Sequence, residues 1–128
     1  MCIRDRILLV DRNRDSQILV AHVLGRMDCS IVVAKDLAEA TAALDQDLYD
    51  LVLVDTALAG LGGPDAAATL RSRITRDPDA VTIVAVSLEH SPAYREARLA
   101  EGFNATVGKP FRKDDLVALL TQARTAPA

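Results

Sequence analysis

The sequence predicts an α/β domain built on a doubly wound, five-stranded parallel sheet with five helices. Three observations predict this fold class. Short apolar runs alternate five times with longer segments of helical spacing, and the runs contain almost no polar residues. Parallel strands are covered on both faces and therefore form such unbroken apolar runs in a sequence. The chain has 128 residues, of which 50% are hydrophobic and 26% charged, so it can bury one sizeable core.

The predicted strands are short runs rich in β-branched residues and leucine, a composition that favours buried strands. Helices that alternate with such strands imply right-handed crossovers and a helical layer on each face of the sheet. Two strand orders are common in sheets of this kind, and periodicity does not choose between them. In chain order the predicted strands are Ile7–Val10, Ile31–Ala34, Leu51–Val54, Val81–Val86 and Ala105–Val107.

The predicted helices lie between and after these strands, where apolar residues recur every three or four positions and so share one helix face. The faces are Val20, Val23, Leu24 and Met27 in the first helix, Leu37, Ala40, Ala43 and Leu44 in the second, Ala67, Leu70 and Ile74 in the third, Tyr94, Ala97 and Ala100 in the fourth, and Leu116, Leu119, Leu120 and Ala123 in the fifth.

Capping residues agree with these helices. Asp36 is placed to cap the second helix, Pro64 suits the first turn of the third, and Gly102 suits the end of the fourth. The arginines of the third segment, Arg71, Arg73 and Arg76, are expected to form a solvated face.

Composition and charge exclude several classes of function. A net charge of −3 and a pI near 5.3 provide no basic surface for a nucleic acid. The longest apolar run, Ala80–Leu88, is too short to span a membrane, so no membrane association is expected. Cys2 and Cys29 form neither a disulfide framework nor a metal-binding pattern, which is typical of a protein in the cytoplasm.

One domain is predicted over residues 7–124. Residues 1–6 (MCIRDR) lack the apolar core of a signal peptide and resemble translated adapter sequence, so they are interpreted as a non-native leader. Residues 125–128 are interpreted as a frayed tail.

Polar residues stand at or near the carboxyl ends of four predicted strands. Asp11 follows the first strand, Asp55 the third and Ser87 the fourth, and Lys109 lies two residues after the fifth. Any one of them could serve only to cap a helix, but four together favour a site, because the carboxyl ends of parallel strands meet at one edge. Two carboxylates can hold a divalent cation or supply a nucleophilic oxygen, and a hydroxyl and an ammonium suit the oxygens of a phosphoryl group.

These segments resemble the receiver domain of two-component response regulators, of the chemotaxis-receiver type, over Ile7 to about Ala123. The resemblance implies a flavodoxin-like sheet with the strand order 2-1-3-4-5. The segments that carry it are ILLVD ending at Asp11, DLVLVD ending at Asp55, Gly63 eight residues further on, VAVS ending at Ser87, and GKPF at Gly108–Phe111.

The resemblance also implies the role of each site residue. Asp55 is the phosphoacceptor, Ser87 contacts the phosphoryl group through its hydroxyl, and Lys109 pairs with it through its ammonium. Mg²⁺ is the implied cofactor, held by Asp11, Asp55 and the backbone carbonyl of Ala57. The Lys109–Pro110 bond is often cis in the family, which would aim the ammonium at the acids.

The implied function is that of a phosphorelay switch. The domain takes a phosphoryl group from a histidine kinase or a histidine phosphotransfer protein. It is expected to catalyse no reaction beyond its own phosphorylation and dephosphorylation. A downstream protein is expected on the face of the fourth helix, fifth strand and fifth helix, around Tyr94, Thr106 and Phe111.

Arg12 departs from the family pattern, since it stands where a second acid normally contacts the metal. Two interpretations stay open. The guanidinium could pair with Asp55 in place of the cation, because opposite charges 4 Å apart attract by roughly 4 kcal/mol at an effective dielectric constant of about 20. Alternatively, Arg12 points into solvent and leaves a weaker metal site.

Further departures concern the residues around the acceptor. Ala59 replaces a common proline, and Gly60, Gly62 and Gly63 give that loop conformational freedom. Leu88 replaces a small residue after the Ser87 hydroxyl and is expected to crowd access to the acceptor. Thr106 replaces the usual aromatic residue, so a smaller phosphorylation-linked shift is expected at the partner face.

The sequence pattern suggests three alternative functions. A degenerate receiver that binds proteins independently of phosphorylation stays open. A flavin-binding protein would need a loop rich in Ser, Thr and Gly after the first strand, and the loop DRNRDSQ does not have that composition. A phosphatase of the haloacid dehalogenase type would need an acid two residues after its nucleophile, but Asn13 and Ala57 occupy those positions. A stand-alone regulator and a receiver of a hybrid kinase fit equally well.

Overall fold

The computed structural model describes residues 5–57, 66–74, 81–88, 91–109 and 111–124. Strands and helices alternate throughout these ranges. The strands are β1 (Asp5–Val10), β2 (Cys29–Ala34), β3 (Leu51–Asp55), β4 (Thr82–Ser87) and β5 (Ala105–Gly108). The helices are α1 (Arg14–Gly25), α2 (Leu37–Gln46), α3 (Ala66–Ser72), α4 (Pro92–Ala100) and α5 (Lys113–Arg124).

The strands form one parallel sheet in the order β2-β1-β3-β4-β5, which confirms the predicted fold class and strand order. The chain steps outward from β1 to β2, returns to β3 on the other side of β1, and then continues through β4 to β5. The direction of winding therefore reverses between β1 and β3. Ligands of open α/β sheets bind at the carboxyl edge beside such a reversal.

Alternate residues of the strands point into two separate cores. Ile7 and Leu9 of β1 pack on the side of α1 and α5, whereas Leu8 and Val10 pack on the side of α2 and α3. All five residues of β3 are buried, as expected for a central strand covered on both faces. The apolar runs therefore place β1, β3 and β4 in the centre of the molecule, with their last residues at one edge.

β1 begins two residues before the predicted apolar run and includes Asp5 and Arg6. The backbone N–H of Arg6 donates to Asp50 Oδ2 over 3.0 Å, and its guanidinium lies 3.2 Å from Asp47 Oδ2. The last two residues of the segment interpreted as a leader thus belong to the sheet. The tail at 125–128 and Cys2 lie outside the described residues.

Helix caps agree with the sequence where the structure describes them. Asp36 caps α2 by accepting from the Glu39 N–H over 2.8 Å, and Gly102 ends α4 with a φ of +109°, a conformation that favours glycine. Three predicted features lie outside the described residues: Pro64, the loop with Ala59 and its glycines, and the Lys109–Pro110 bond.

Arg71 corrects the predicted solvated face of the third helix. Its guanidinium donates to the carbonyls of Gly102 and Val81 and to Asn104 Oδ1, and the Asn104 side chain also accepts from the Ile83 N–H. Arg71 therefore ties α3 to β4 and to the turn before β5. Arg73 does lie on the surface, and Arg76 lies outside the described residues.

Among the described helices, none has the length and apolar character needed to cross a lipid bilayer.

Candidate functional site

The structure brings the sequence-predicted polar residues together at the carboxyl edge of the sheet. Lys109 Nζ lies 2.8 Å from Asp11 Oδ2 and 3.1 Å from Asp55 Oδ2. Ser87 is the last residue of β4 and is registered with Gly108, the residue before Lys109. Parallel pairing accounts for this convergence, because it aligns Val10 with Val54 and Asp55 with Val86.

Asp11 and Asp55 are held in the same way. Oδ1 of Asp11 accepts from the N–H of Asn13 over 2.8 Å, and Oδ1 of Asp55 accepts from the N–H of Ala57 over 2.9 Å. A carboxylate that bonds the backbone two residues ahead forms an Asx turn, which fixes its orientation. Both acids therefore have one oxygen bonded to their own loop and turn the other toward Lys109.

Lys109 neutralises part of the charge of the two acids. Burial alone would lower the pKa of Lys109, but its hydrogen bonds and charge interactions with Asp11 and Asp55 outweigh burial and raise the pKa above its ordinary value. The ammonium is therefore charged at neutral pH. One cation faces two carboxylates, which leaves the cluster with a net negative charge.

A cavity of about 310 Å³ opens beside this cluster. Ser87, Ala57 and Leu88 line it together with Asp55 and Lys109. The backbone also connects two of the walls, since the N–H of Lys109 donates to the Ser87 carbonyl over 2.9 Å. Leu88 lines this cavity and is 82% exposed. The cavity has the acid, hydroxyl and ammonium groups that a phosphoryl group requires.

The residues at this edge also fit a hard divalent cation. Asp11 is only 1% exposed, and among the described residues Lys109, 2.8 Å away, is the partner of its Oδ2. No group of three or more His, Cys, Asp or Glu side chains in the described ranges could hold a metal. Mg²⁺ commonly uses only one or two carboxylates and keeps several waters, so Asp11, Asp55 and the Ala57 carbonyl suffice.

Arg12 does not pair with Asp55 in the structure. The side chain is exposed, and it makes no hydrogen bond or ion pair with any described residue. Lys109 occupies the side of Asp55 on which a replacement cation would act. Of the two interpretations of Arg12, the structure supports the solvent-directed one.

The predicted partner face needs one correction. Phe111 is buried in the core beneath α1 and α5, so it is not a surface aromatic residue. Thr106 is also buried, and its hydroxyl has no hydrogen-bond partner among the described residues. Tyr94 is partly buried, with its hydroxyl directed toward β3.

Two contacts of the site were not predicted. The side chain of Gln17 donates to the Asp11 carbonyl over 2.8 Å, and the hydroxyls of Thr56 and Tyr94 lie 2.6 Å apart. The position of Thr56 directly after the acceptor candidate was the one available signal for the second contact.

Comparison with known proteins agrees with this geometry. The family model described as "response regulator receiver domain" matches residues 7–121. The transcription factor SKN7 of Candida albicans is 31% identical over 116 residues, which are 91% of this chain and 20% of that protein. The sensor histidine kinase AruS of Pseudomonas aeruginosa is 28% identical over 120 residues, 94% of this chain and 12% of that protein. This chain therefore spans a fifth or less of the length of these relatives.

A solved structure shows the same fold at similar sequence identity. The receiver domain of the sensor histidine kinase PA1611 from Pseudomonas aeruginosa superimposes with a TM-score of 0.77 and 26% identity. The match covers 94% of this chain and 97% of that one, and that structure has a magnesium ion coordinated in its active-site cleft.

Proposed function

Because the chain belongs to the response regulator receiver domain family, we propose that Asp55 accepts a phosphoryl group from a phosphorylated histidine. The observation that carries the proposal is the contact of Lys109 Nζ with the Oδ2 atoms of both Asp11 and Asp55. A single cation shared by two buried carboxylates places positive charge where a phosphoryl group would arrive. The relatives AruS, a histidine kinase, and SKN7, a transcription factor, support a place in a two-component phosphorelay.

The transfer is a displacement at phosphorus. An oxygen of Asp55 forms the new P–O bond, the bond from phosphorus to the donor imidazole nitrogen breaks, and the electron pair stays with the imidazole. The Asx turn with Ala57 holds the Asp55 carboxylate while this happens. Mg²⁺, if held by Asp11, Asp55 and the Ala57 carbonyl, would supply positive charge toward the oxygens of the transferring group.

Lys109 and Ser87 stabilise the phosphorylated product. An ammonium has three donors, of which two point at Asp11 and Asp55, so a third can reach a phosphoryl oxygen. Ser87 lines the same cavity and can contribute its hydroxyl. Asp11 and the Ala57 carbonyl are the further oxygen ligands offered to Mg²⁺.

In this proposal the domain is a cytoplasmic signalling module. It does not act as an enzyme on another substrate. Its donor is a histidine kinase or a histidine phosphotransfer protein. Its output is a protein contact on the face of α4, β5 and α5. Exposed Arg12 favours the alternative of a degenerate receiver, because a positive charge beside the acids weakens a site for Mg²⁺.

Intact-mass measurement tests the proposal. The chain is incubated with Mg²⁺ and either acetyl phosphate or a phosphorylated histidine phosphotransfer protein. One added phosphoryl group is expected in the native chain and in Asp45→Asn, which changes an exposed carboxylate of α2, but none in Asp55→Asn. A phosphoryl group that is still added to Asp55→Asn would show that another residue is the acceptor. An unlabelled native chain would support the degenerate receiver.

A further inference from the structure

Tyr94 of α4 contacts the loop that follows the acceptor strand. Its hydroxyl lies 2.6 Å from Thr56 Oγ1, across 38 positions of sequence. The ring is fixed on its other side by Arg98, whose guanidinium carbon lies 4.9 Å from the ring centroid and which also pairs with Glu101 over 2.6 Å. The side chain of Tyr94 is therefore held in the space between the rest of α4 and the loop after β3.

The direction of the hydrogen bonds follows from the available acceptors. Thr56 Oγ1 lies 3.2 Å from the Val86 carbonyl, which can only accept, so the Thr56 hydroxyl donates there. A hydroxyl has one proton, so Tyr94 must be the donor to Thr56 Oγ1. The backbone N–H of Thr56 also donates to the Val86 carbonyl over 3.0 Å. Thr56 is thus held by two bonds to β4 and one from α4.

Thr56 separates the two residues that offer oxygen to Mg²⁺. Asp55 precedes it, Ala57 follows it, and the N–H of Ala57 closes the Asx turn on Asp55 Oδ1. A shift of Thr56 would therefore alter both the carboxylate and the following carbonyl. Among the described residues, Tyr94 makes the one hydrogen bond to Thr56 that comes from a helix.

We propose that Tyr94 is a positioning residue of the acceptor site, which acts through Thr56 on the geometry of Asp55 and Ala57. The inference rests on the proposed role of those two residues. In this proposal a residue of α4, Tyr94, contacts the acceptor loop. The hydroxyl of Thr106 makes no such contact, because it has no partner among the described residues.

Removal of one hydroxyl tests this role. Tyr94→Phe is expected to weaken Mg²⁺ binding about three- to tenfold, the range given by loss of one hydrogen bond. Amide hydrogen exchange of Thr56 and Ala57 should accelerate by a similar factor, without Mg²⁺ present. Mg²⁺ binding and amide exchange are both followed by NMR on the folded chain.

Tyr49→Phe is the matched control, because Tyr49 is buried before β3, at the end of that strand opposite the site. It should change neither Mg²⁺ affinity nor exchange at Thr56. Thr56→Ser should retain the native values, whereas Thr56→Val should reproduce Tyr94→Phe. The double variant of Thr56→Val with Tyr94→Phe should show little further loss, since both remove one interaction.

The outcomes separate the two proposals. Native exchange rates and native Mg²⁺ affinity in Tyr94→Phe would overturn the positioning role. A native chain that binds no Mg²⁺ and accepts no phosphoryl group would overturn the proposed function, while the exchange rates would still decide whether Tyr94 restrains Thr56.

Discussion

Asp11 and Asp55 present equivalent oxygens to a shared cation, although 44 positions separate them in the sequence. Each uses Oδ1 to close a turn with the N–H two residues ahead, and each directs Oδ2 at Lys109 Nζ. The two turns fix the acids before any ligand arrives. Lys109 is thereby the group whose removal changes the electrostatics of the site most.

Lys109→Ala should retain cooperative unfolding but lose about 3–5 kcal/mol of stability near neutral pH, because two buried carboxylates then face each other without a cation. Urea unfolding near neutral pH measures this loss. Lys113→Ala, an exposed change at the start of α5, is the control. Loss of cooperative unfolding in Lys109→Ala would make Lys109 a structural residue.

The pKa of Lys109 sets the alkaline limit of this interaction. Because the folded-state pKa is raised, the stability from the ammonium is complete below the unfolded-state pKa and is lost as the pH rises through the folded-state value. The stability contributed by the Lys109 ammonium should therefore stay constant from neutral pH up to the ordinary lysine pKa of 10.5. NMR titration of Nζ should give a pKa above that value and a lower one in Asp11→Asn. Equal values in both proteins would contradict the assigned cause.

Arg12→Asp should raise Mg²⁺ affinity at least about tenfold. The substitution changes the charge near the site by two units, and each unit is worth about 1 kcal/mol or more even with screening. Arg14→Asp makes the same change of net charge on an exposed residue at the start of α1 and should have a smaller effect. Calorimetric titration of the three proteins decides this. Equal affinity in the native chain and Arg12→Asp would show that the departure from the family pattern is without consequence.

Thr106→Val should leave stability unchanged or raise it by up to about 1 kcal/mol. The Thr106 hydroxyl is buried without a hydrogen-bond partner among the described residues, so an isosteric methyl group removes a desolvated polar atom. Thr106→Ser, which keeps the hydroxyl and removes the methyl group, should destabilise. Thermal unfolding compares the pair. Clear destabilisation by Thr106→Val would reveal a partner for the hydroxyl.

Arg71→Ala should cost about 1–3 kcal/mol, because its guanidinium donates to the Val81 and Gly102 carbonyls and to Asn104 Oδ1, and its loss removes a hydrogen bond from each. Arg73, just after α3, makes an exposed pair with Asp45 among the described residues, so Arg73→Ala should cost less than about 0.5 kcal/mol. Similar losses in Arg71→Ala and Arg73→Ala would show that the Arg71 contacts add no stability beyond that of a surface pair.

The sequence by itself determined the sheet and the place of the site. Unbroken apolar runs indicate buried parallel strands. Parallel strands bring their carboxyl ends to one edge of the sheet, and this does not depend on how the helices pack. Asp11, Asp55, Ser87 and Lys109 could therefore be predicted to converge. This follows from local patterning and from the geometry of hydrogen-bonded strands.

Only the tertiary structure decided which atoms meet. The burial of Phe111, the clamp made by Arg71 and the contact of Thr56 with Tyr94 each join elements distant in sequence. Helical periodicity predicts which face of a helix is apolar, but not how far the helix is shifted along the sheet or which polar tip reaches a neighbour. The exposure of Arg12 has the same origin, because Lys109, directly after β5, already occupies the side of the acids that Arg12 would need.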